Sequence, residues 1–200
     1  MLLAENKNNR RSIRLKEYDY SQIGAYFVTI CSSRKRIIFG DIKNGIMGLS
    51  EAGIIAYECW NDLPNHFPNI ELDEISIMPN HIHFIVIIDK DIRRGAACSA
   101  QNDAKFRAGA ALHYAQTDVK SQEGAASRAP TGGSLSAIVG SYKSAVTNKI
   151  NKMYERSGIS IWQRNYYEHI IRNGKELNAT RKYIQLNPAN WEQDKEYLPT

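Results

Sequence analysis

Residues 70–88 constrain this chain more than any other stretch. Ile70, Leu72, Ile75 and Ile77 alternate with polar residues, Pro79-Asn80 supplies a turn, and His81-Ile82-His83-Phe84-Ile85-Val86-Ile87-Ile88 follows as an apolar run. Two such runs across a short turn predict adjacent antiparallel strands, the second of them buried. Successive strand residues face opposite sides, so His81 and His83 share one face and Ile82 joins the other. Two imidazoles are thereby set about 7 Å apart at the mouth of a buried strand. They fit a metal site, or a pair of buried histidines satisfied by hydrogen bonds. Two imidazoles alone leave a coordination sphere unfinished, so a metal needs a further protein donor from elsewhere in the chain.

The 200 residues suit one domain with a sizeable core. A net charge of +5 and a pI near 9.0 favour a polyanionic partner over a basic one. Cys31, Cys59 and Cys98 are odd in number and lack CxxC spacing, which argues against a disulfide framework or a cysteine-built zinc site. No apolar run approaches the ~20 residues of a membrane span, and the first residues lack a signal-peptide core, so a cytoplasmic protein is expected.

Along the chain, Lys7, Arg10, Arg11, Arg14 and Lys16 form either a phosphate-binding arm or a solvated terminus. Ala25 to Cys31 is β-branched and aromatic, and predicts the first strand. A second, weaker strand is expected to begin at Ile37-Ile38-Phe39-Gly40. Ser50 is placed to cap a helix that ends before Leu63-Pro64. Residues 91–133 are crowded with Ala, Gly, Ser and Gln and read as an insertion, with a short helix over 106–114 as a further reading. Ser134 opens a helix whose stripe of Leu135, Ile138, Val139, Tyr142, Val146 and Ile150 faces the core. Lys149 and Lys152 sit on another stripe, a candidate phosphate edge or a solvated face. Residues 158–162 are expected to be extended. Asn173 and Glu176 make a capping-box-like start to a last helix, which runs to about Asn187 because Pro188 follows.

Leu177 and Ile184 mark the core side of that last helix, and Tyr183 and Asn187 lie together on its flank at i, i+4. The amide oxygen of Asn187 is a candidate third donor, and a set of imidazoles plus carbonyl suits Mn²⁺ and tolerates Mg²⁺. Tyr183 would then stand beside whatever the ion polarises. A phenol of ordinary pKa near 10 is a poor nucleophile unless its electrophile is activated, as a Lewis acid on a phosphoryl oxygen does. Metal-assisted transesterification of nucleic acid is one reading among several, since spacing alone does not bring the two segments together.

Pro-Asn-His-Ile-His resembles the histidine–hydrophobic–histidine motif of the HUH endonucleases. Residues 10–15 and 26–31, Met78 to Phe84, Gly140-Ser141-Tyr142-Lys143-Ser144, residues 162–169 and Tyr183 to Pro188 resemble, in order, the REP-associated tyrosine transposases, relatives of the single-tyrosine insertion-sequence transposases. The resemblance spans nearly the whole chain except 91–133. It implies an α+β, ferredoxin-like antiparallel sheet with helices packed on one face, as one HUH domain. It implies metal binding at His81 and His83, with Asn187 as the further ligand where relatives carry the longer glutamine, and Mg²⁺ or Mn²⁺ as the ion. It implies Tyr183 as the nucleophile and single-stranded DNA, often beside a hairpin, as substrate, cleaved to leave a 5′-phosphotyrosine and a free 3′-hydroxyl. Arg10, Arg11, Arg14, Lys149, Lys152, Arg164 and Tyr166 are the expected DNA contacts; the protein is expected to be a monomer or homodimer. A non-catalytic nucleic-acid binder on the same scaffold and a zinc hydrolase are the rivals. Neither explains His-x-His joined to a Tyr–Asn helix as well.

Overall fold

The computed structural model describes residues 20–89, 133–156 and 158–197. The basic arm with Arg10, Arg11 and Arg14, and almost all of the 91–133 segment, lie outside the described residues.

Four strands form one antiparallel sheet in the order β4-β5-β1-β6. They are β1 (Gly24–Cys31), β4 (Ile70–Ile77), β5 (His81–Ile88) and β6 (Tyr167–Ile171). Helix α1 (Glu51–Asn61) joins β1 to β4, and α3 (Leu135–Met153) joins β5 to β6. This is the βαββαβ order of a ferredoxin-like sheet, with α1 and α3 packed on one face as expected. Ser50 and Ser134 cap the two helices, accepting from the N–H groups of Gly53 and Ala137.

Strand β5 is buried along most of its length because both its faces are covered. Ile82, Phe84, Val86 and Ile88 enter the main core between the sheet, α1 and α3. Trp60, Phe84 and Tyr142 pack there as an aromatic cluster, with Trp60 and Phe84 ring centres 4.6 Å apart. The buried Tyr142 hydroxyl donates to the carbonyl of Ala56 at 3.1 Å. Tyr142 is therefore a core residue, as its place in the apolar stripe requires.

Opposite that core, the last helix, α4 (Gly174–Leu186), lies across the other face of the sheet. Ile184 and Leu177 meet Ile85 of β5 and Ile171 of β6 in a small second cluster. Asn173 caps α4 by accepting from the N–H of Glu176 at 2.9 Å. Two polar ties fix α4 to the edge strand: Arg181 clasps the carboxylate of Asp73, and Gln185 donates to Glu74 at 2.7 Å. Asp73 stands at a register shift between Leu72 and Ile75, which explains why a charge interrupts the alternation of β4.

Three local expectations change. Ile37-Ile38-Phe39 is not a strand. The N–H groups of Ile38 and Phe39 both bond to the carbonyl of Pro79, and Phe39 is buried against Trp162. The strands begin later, as a separate hairpin of β2 (Gly40–Lys43) and β3 (Ile46–Leu49). Its turn is Asn44-Gly45, both with positive φ, the preferred chemistry for a two-residue hairpin. Pro64 lies in the first turn of the short helix α2 (Leu63–His66). Strand β6, which no period in residues 163–172 announces, pairs with β1 from Ala25↔Ile171 to Thr29↔Tyr167.

Candidate active site

The hairpin turn before β5 and the edge of α4 converge on one face of the sheet. His81 and His83 are both buried there, and their Nε2 atoms stand 2.9 Å apart. Each ring is held from behind through Nδ1. Asn80 donates from Nδ2 to the carbonyl of Glu196 at 2.8 Å, which turns its Oδ1 toward His81 Nδ1, also at 2.8 Å. That oxygen only accepts, so His81 carries its proton on Nδ1 and presents a lone pair at Nε2. His83 Nδ1 lies 2.8 Å from the hydroxyl of Thr29, its cross-strand partner. A hydroxyl can donate or accept. His83 can therefore keep its proton on Nε2, shared with His81, or on Nδ1 toward Thr29, with both Nε2 lone pairs free.

The helix flank arrives at this pair. The Tyr183 hydroxyl is 3.4 Å from His83 Nε2 and donates to Asp194 Oδ2 at 3.3 Å. Asn187, the C-cap of α4 and itself buried, donates from Nδ2 to the same carboxylate oxygen at 3.0 Å. Its Oδ1 is buried and has no hydrogen-bond partner. Asp194 completes the group: its carboxylate oxygens lie 3.9 Å from His81 Nε2 and 3.8 Å from His83 Nε2. His81, His83 and Asp194 each offer one donor atom, all within 4.8 Å of one another.

Electrostatics follow from this packing. Burial, with His83 beside it, pushes the His81 pKa down to about 3, so its ring is a neutral donor at ordinary pH. Burial raises Asp194, but the nearby His83 ring and hydrogen bonds from the Glu196 N–H and Asn187 Nδ2 outweigh it and hold the carboxyl well below the usual range. Burial and the charge of Asp194 push the Tyr183 phenol up to about 12. The nitrogen and oxygen donors fit a divalent ion. A charged carboxylate and a neutral imidazole, with an orphaned amide oxygen nearby, are donor types that a divalent cation takes up.

The structure thus brings together His81, His83, Tyr183 and Asn187, although about a hundred residues separate the pair from the helix. The sequence reading missed Asp194. It lies past Pro188, after a short, kinked 3-10 turn over Pro188–Gln193, where no period assigns a facing. Trp191 of that turn stands over His81, ring centres 5.8 Å apart, and Lys35 pairs with Glu196 at 2.9 Å, fastening the segment over the site.

The remaining expected residues sit apart from this centre. Lys149 and Lys152 are exposed on α3, across the sheet from the histidines, and Arg164 is exposed in the turn before β6. Tyr166 packs partly buried against the main core, so of the adjacent tyrosines it is Tyr167 that stands on the site face, opposite Thr29. Glu168 and His169 also face opposite ways. His169 pairs with Glu176 at 2.6 Å rather than with its neighbour.

Searched against protein-family models, the chain matches none. It is 38% identical over 191 residues to an uncharacterized protein of Haemophilus influenzae, covering 96% of this chain and 94% of that one. Among solved structures it resembles a REP-associated tyrosine transposase bound to a REP hairpin, with a TM-score of 0.53, 16% identity, and coverage of 92% of this chain and 76% of that one. A putative transposase from Deinococcus radiodurans R1 aligns at a TM-score of 0.38 and 11% identity, over 86% of this chain and 95% of that one, too low to build on. The fold is that of a REP-associated tyrosine transposase, as the motif resemblance implied. By sequence, the chain belongs to the same family as the Haemophilus protein.

Proposed function

We propose that this protein is a divalent-metal-dependent transposase that cleaves and rejoins single-stranded DNA through Tyr183. The observation that carries the reading is the Tyr183 hydroxyl, 3.4 Å from a ring nitrogen of the His-x-His pair. A nucleophile and a candidate metal site that share a hydrogen bond can act on one phosphate. His81, His83, Asp194 and the amide oxygen of Asn187 would hold the ion, which when bound supplies a Lewis acid for a phosphoryl oxygen.

The chain's own groups do the rest. Asp194 Oδ2 accepts the Tyr183 hydrogen bond and so orients the phenol oxygen, whose proton passes through solvent to the departing 3′ oxygen. Attack on the scissile phosphorus forms the Tyr183 O–P bond and breaks the bond to the 3′ oxygen, which departs as a 3′-hydroxyl. The 5′-phosphotyrosine keeps the phosphoester for a second strand, whose 3′-hydroxyl reverses the step. Hairpin-forming repeat DNA is the substrate class in this reading; the hairpin bound by the structural neighbour and the net charge of +5 both support it.

Incubation of labelled single-stranded hairpin DNA with the protein and Mn²⁺ or Mg²⁺ tests this. A denaturant-resistant protein–DNA adduct is expected, lost with chelator and with Tyr183→Phe, and sharply reduced with His81→Ala. An adduct that persists undiminished in Tyr183→Phe would refute the nucleophile assignment.

A further inference from the structure

Beside the candidate metal site, on the same face of the sheet, lies an open cleft of about 340 Å³ lined by Phe27, Tyr167, His169, Glu176, Thr180 and Tyr183. It is shallow and open to solvent, a seat against which one flat ring can lie rather than an enclosed cavity. The walls are aromatic. Phe27 meets Tyr167 edge-on at 6.2 Å and Tyr183 edge-on at 6.1 Å, and Tyr167 and Tyr183 remain 43% and 46% exposed. The polar lining is the His169–Glu176 pair, with Thr180 beside it. Glu176 accepts from His169 and, through its other oxygen, from the N–H of Arg172, yet a carboxylate retains further acceptor sites. The metal chemistry proposed above uses none of these groups except Tyr183.

We infer that this cleft seats one nucleobase, that of the nucleotide next to the scissile phosphate. The inference rests on the proposed function and adds the element that places the strand. Tyr183 belongs to both sites: its ring walls the cleft while its hydroxyl faces His83 and Asp194. An occupant stacked against that ring is therefore within one nucleotide of the attacking oxygen. Exposed aromatic faces around a small opening suit a flat, polar-edged ring better than an aliphatic side chain, and base–aromatic stacking tolerates any base. The carboxylate of Glu176 accepts hydrogen bonds, so bases with an exocyclic amino group gain a contact that thymine lacks.

The test measures binding of the full chain to fluorescent single-stranded homopolymers of dA, dC or dT, and to an abasic strand of the same length. Two substitutions at exposed positions act on the cleft: Tyr167→Ala removes a wall, and Ala179→Trp, at a lining residue of α4, fills it from the helix side. Circular dichroism checks that both variants stay folded. Both are expected to weaken binding of the base-bearing strands by about fivefold or more and to leave the abasic strand unchanged. Equal weakening on both kinds of strand, or none on either, overturns the inference. Adduct formation by the wild type separates this outcome from the catalytic reading. If no adduct forms but the base-dependent loss is seen, the cleft stands and the catalysis falls; if adducts form without base dependence, the reverse holds.

Discussion

His83 is held on three sides by groups of different kinds, and each limits what the ring can do. Thr29 bonds its Nδ1, Phe27 stacks on its face with centroids 5.4 Å apart, and His81 and Tyr183 meet its Nε2. The tautomer that frees both Nε2 atoms puts a proton on Nδ1, and Thr29 must accept it. Thr29→Val keeps the shape and removes that acceptor. Mn²⁺ affinity, read by titration calorimetry, is expected to fall roughly 10–100-fold, as when other partners behind a ligand are lost. His81 makes a pH prediction for the metal-free protein. Its pKa is 6.5 in an unfolded chain and about 3 in place, so the unfolded state binds the extra proton between those values. Its contribution to stability is full above the higher value and is lost as pH falls toward the lower one. In chelator, unfolding free energy should drop by roughly 2 kcal/mol between neutrality and about pH 5, and His81→Gln should flatten that slope.

Helix α4 carries Tyr183 and Asn187, so its seat on the sheet sets the site geometry. That seat is small and apolar at the centre, where Ile184 meets Ile85 and Ile171, and is pinned at the edge by Arg181 on Asp73 and Gln185 on Glu74. Asp73 is nearly covered while Arg181 is a third exposed, so the pair lies between a surface bridge and a buried one. Arg181→Ala is expected to cost roughly 1–3 kcal/mol in denaturant melts. It should also slow adduct formation by more than the folded fraction explains, because the phenol loses its fixed approach. A rate that simply follows the folded fraction would show that the central apolar contact alone positions α4.

Across the whole molecule, the sheet separates two jobs. One face buries the large core with α1 and α3; the other carries the candidate site with α4. Damage to the first should therefore lower stability without altering the second. Trp60→Leu, a large-to-smaller change within the aromatic cluster, is expected to cost roughly 2–4 kcal/mol. Metal affinity measured well below the melting temperature should stay within about twofold of wild type.

Local pattern determined much of this by itself. The strands at 25–31, 70–77 and 81–88, the serine and asparagine caps, the core place of Tyr142 and the shared face of His81 and His83 all follow from period and propensity within short windows. The Tyr183–Asn187 flank follows from helical spacing in the same way. Tertiary structure decided what no window contains. Tyr167–Ile171 becomes a strand because β1 offers it an open edge, and residues 37–39 are drawn out of a strand by the Pro79 carbonyl. Asp194 gains its place only because the chain turns back over the histidines, with Trp191 against His81 and Glu196 tied to Asn80. A periodic segment announces its facing because its neighbours repeat it, whereas an irregular turn acquires a facing only from the surface it lands on. That is why the histidine pair, the tyrosine and the asparagine are legible in the sequence, and the carboxylate that joins them is not.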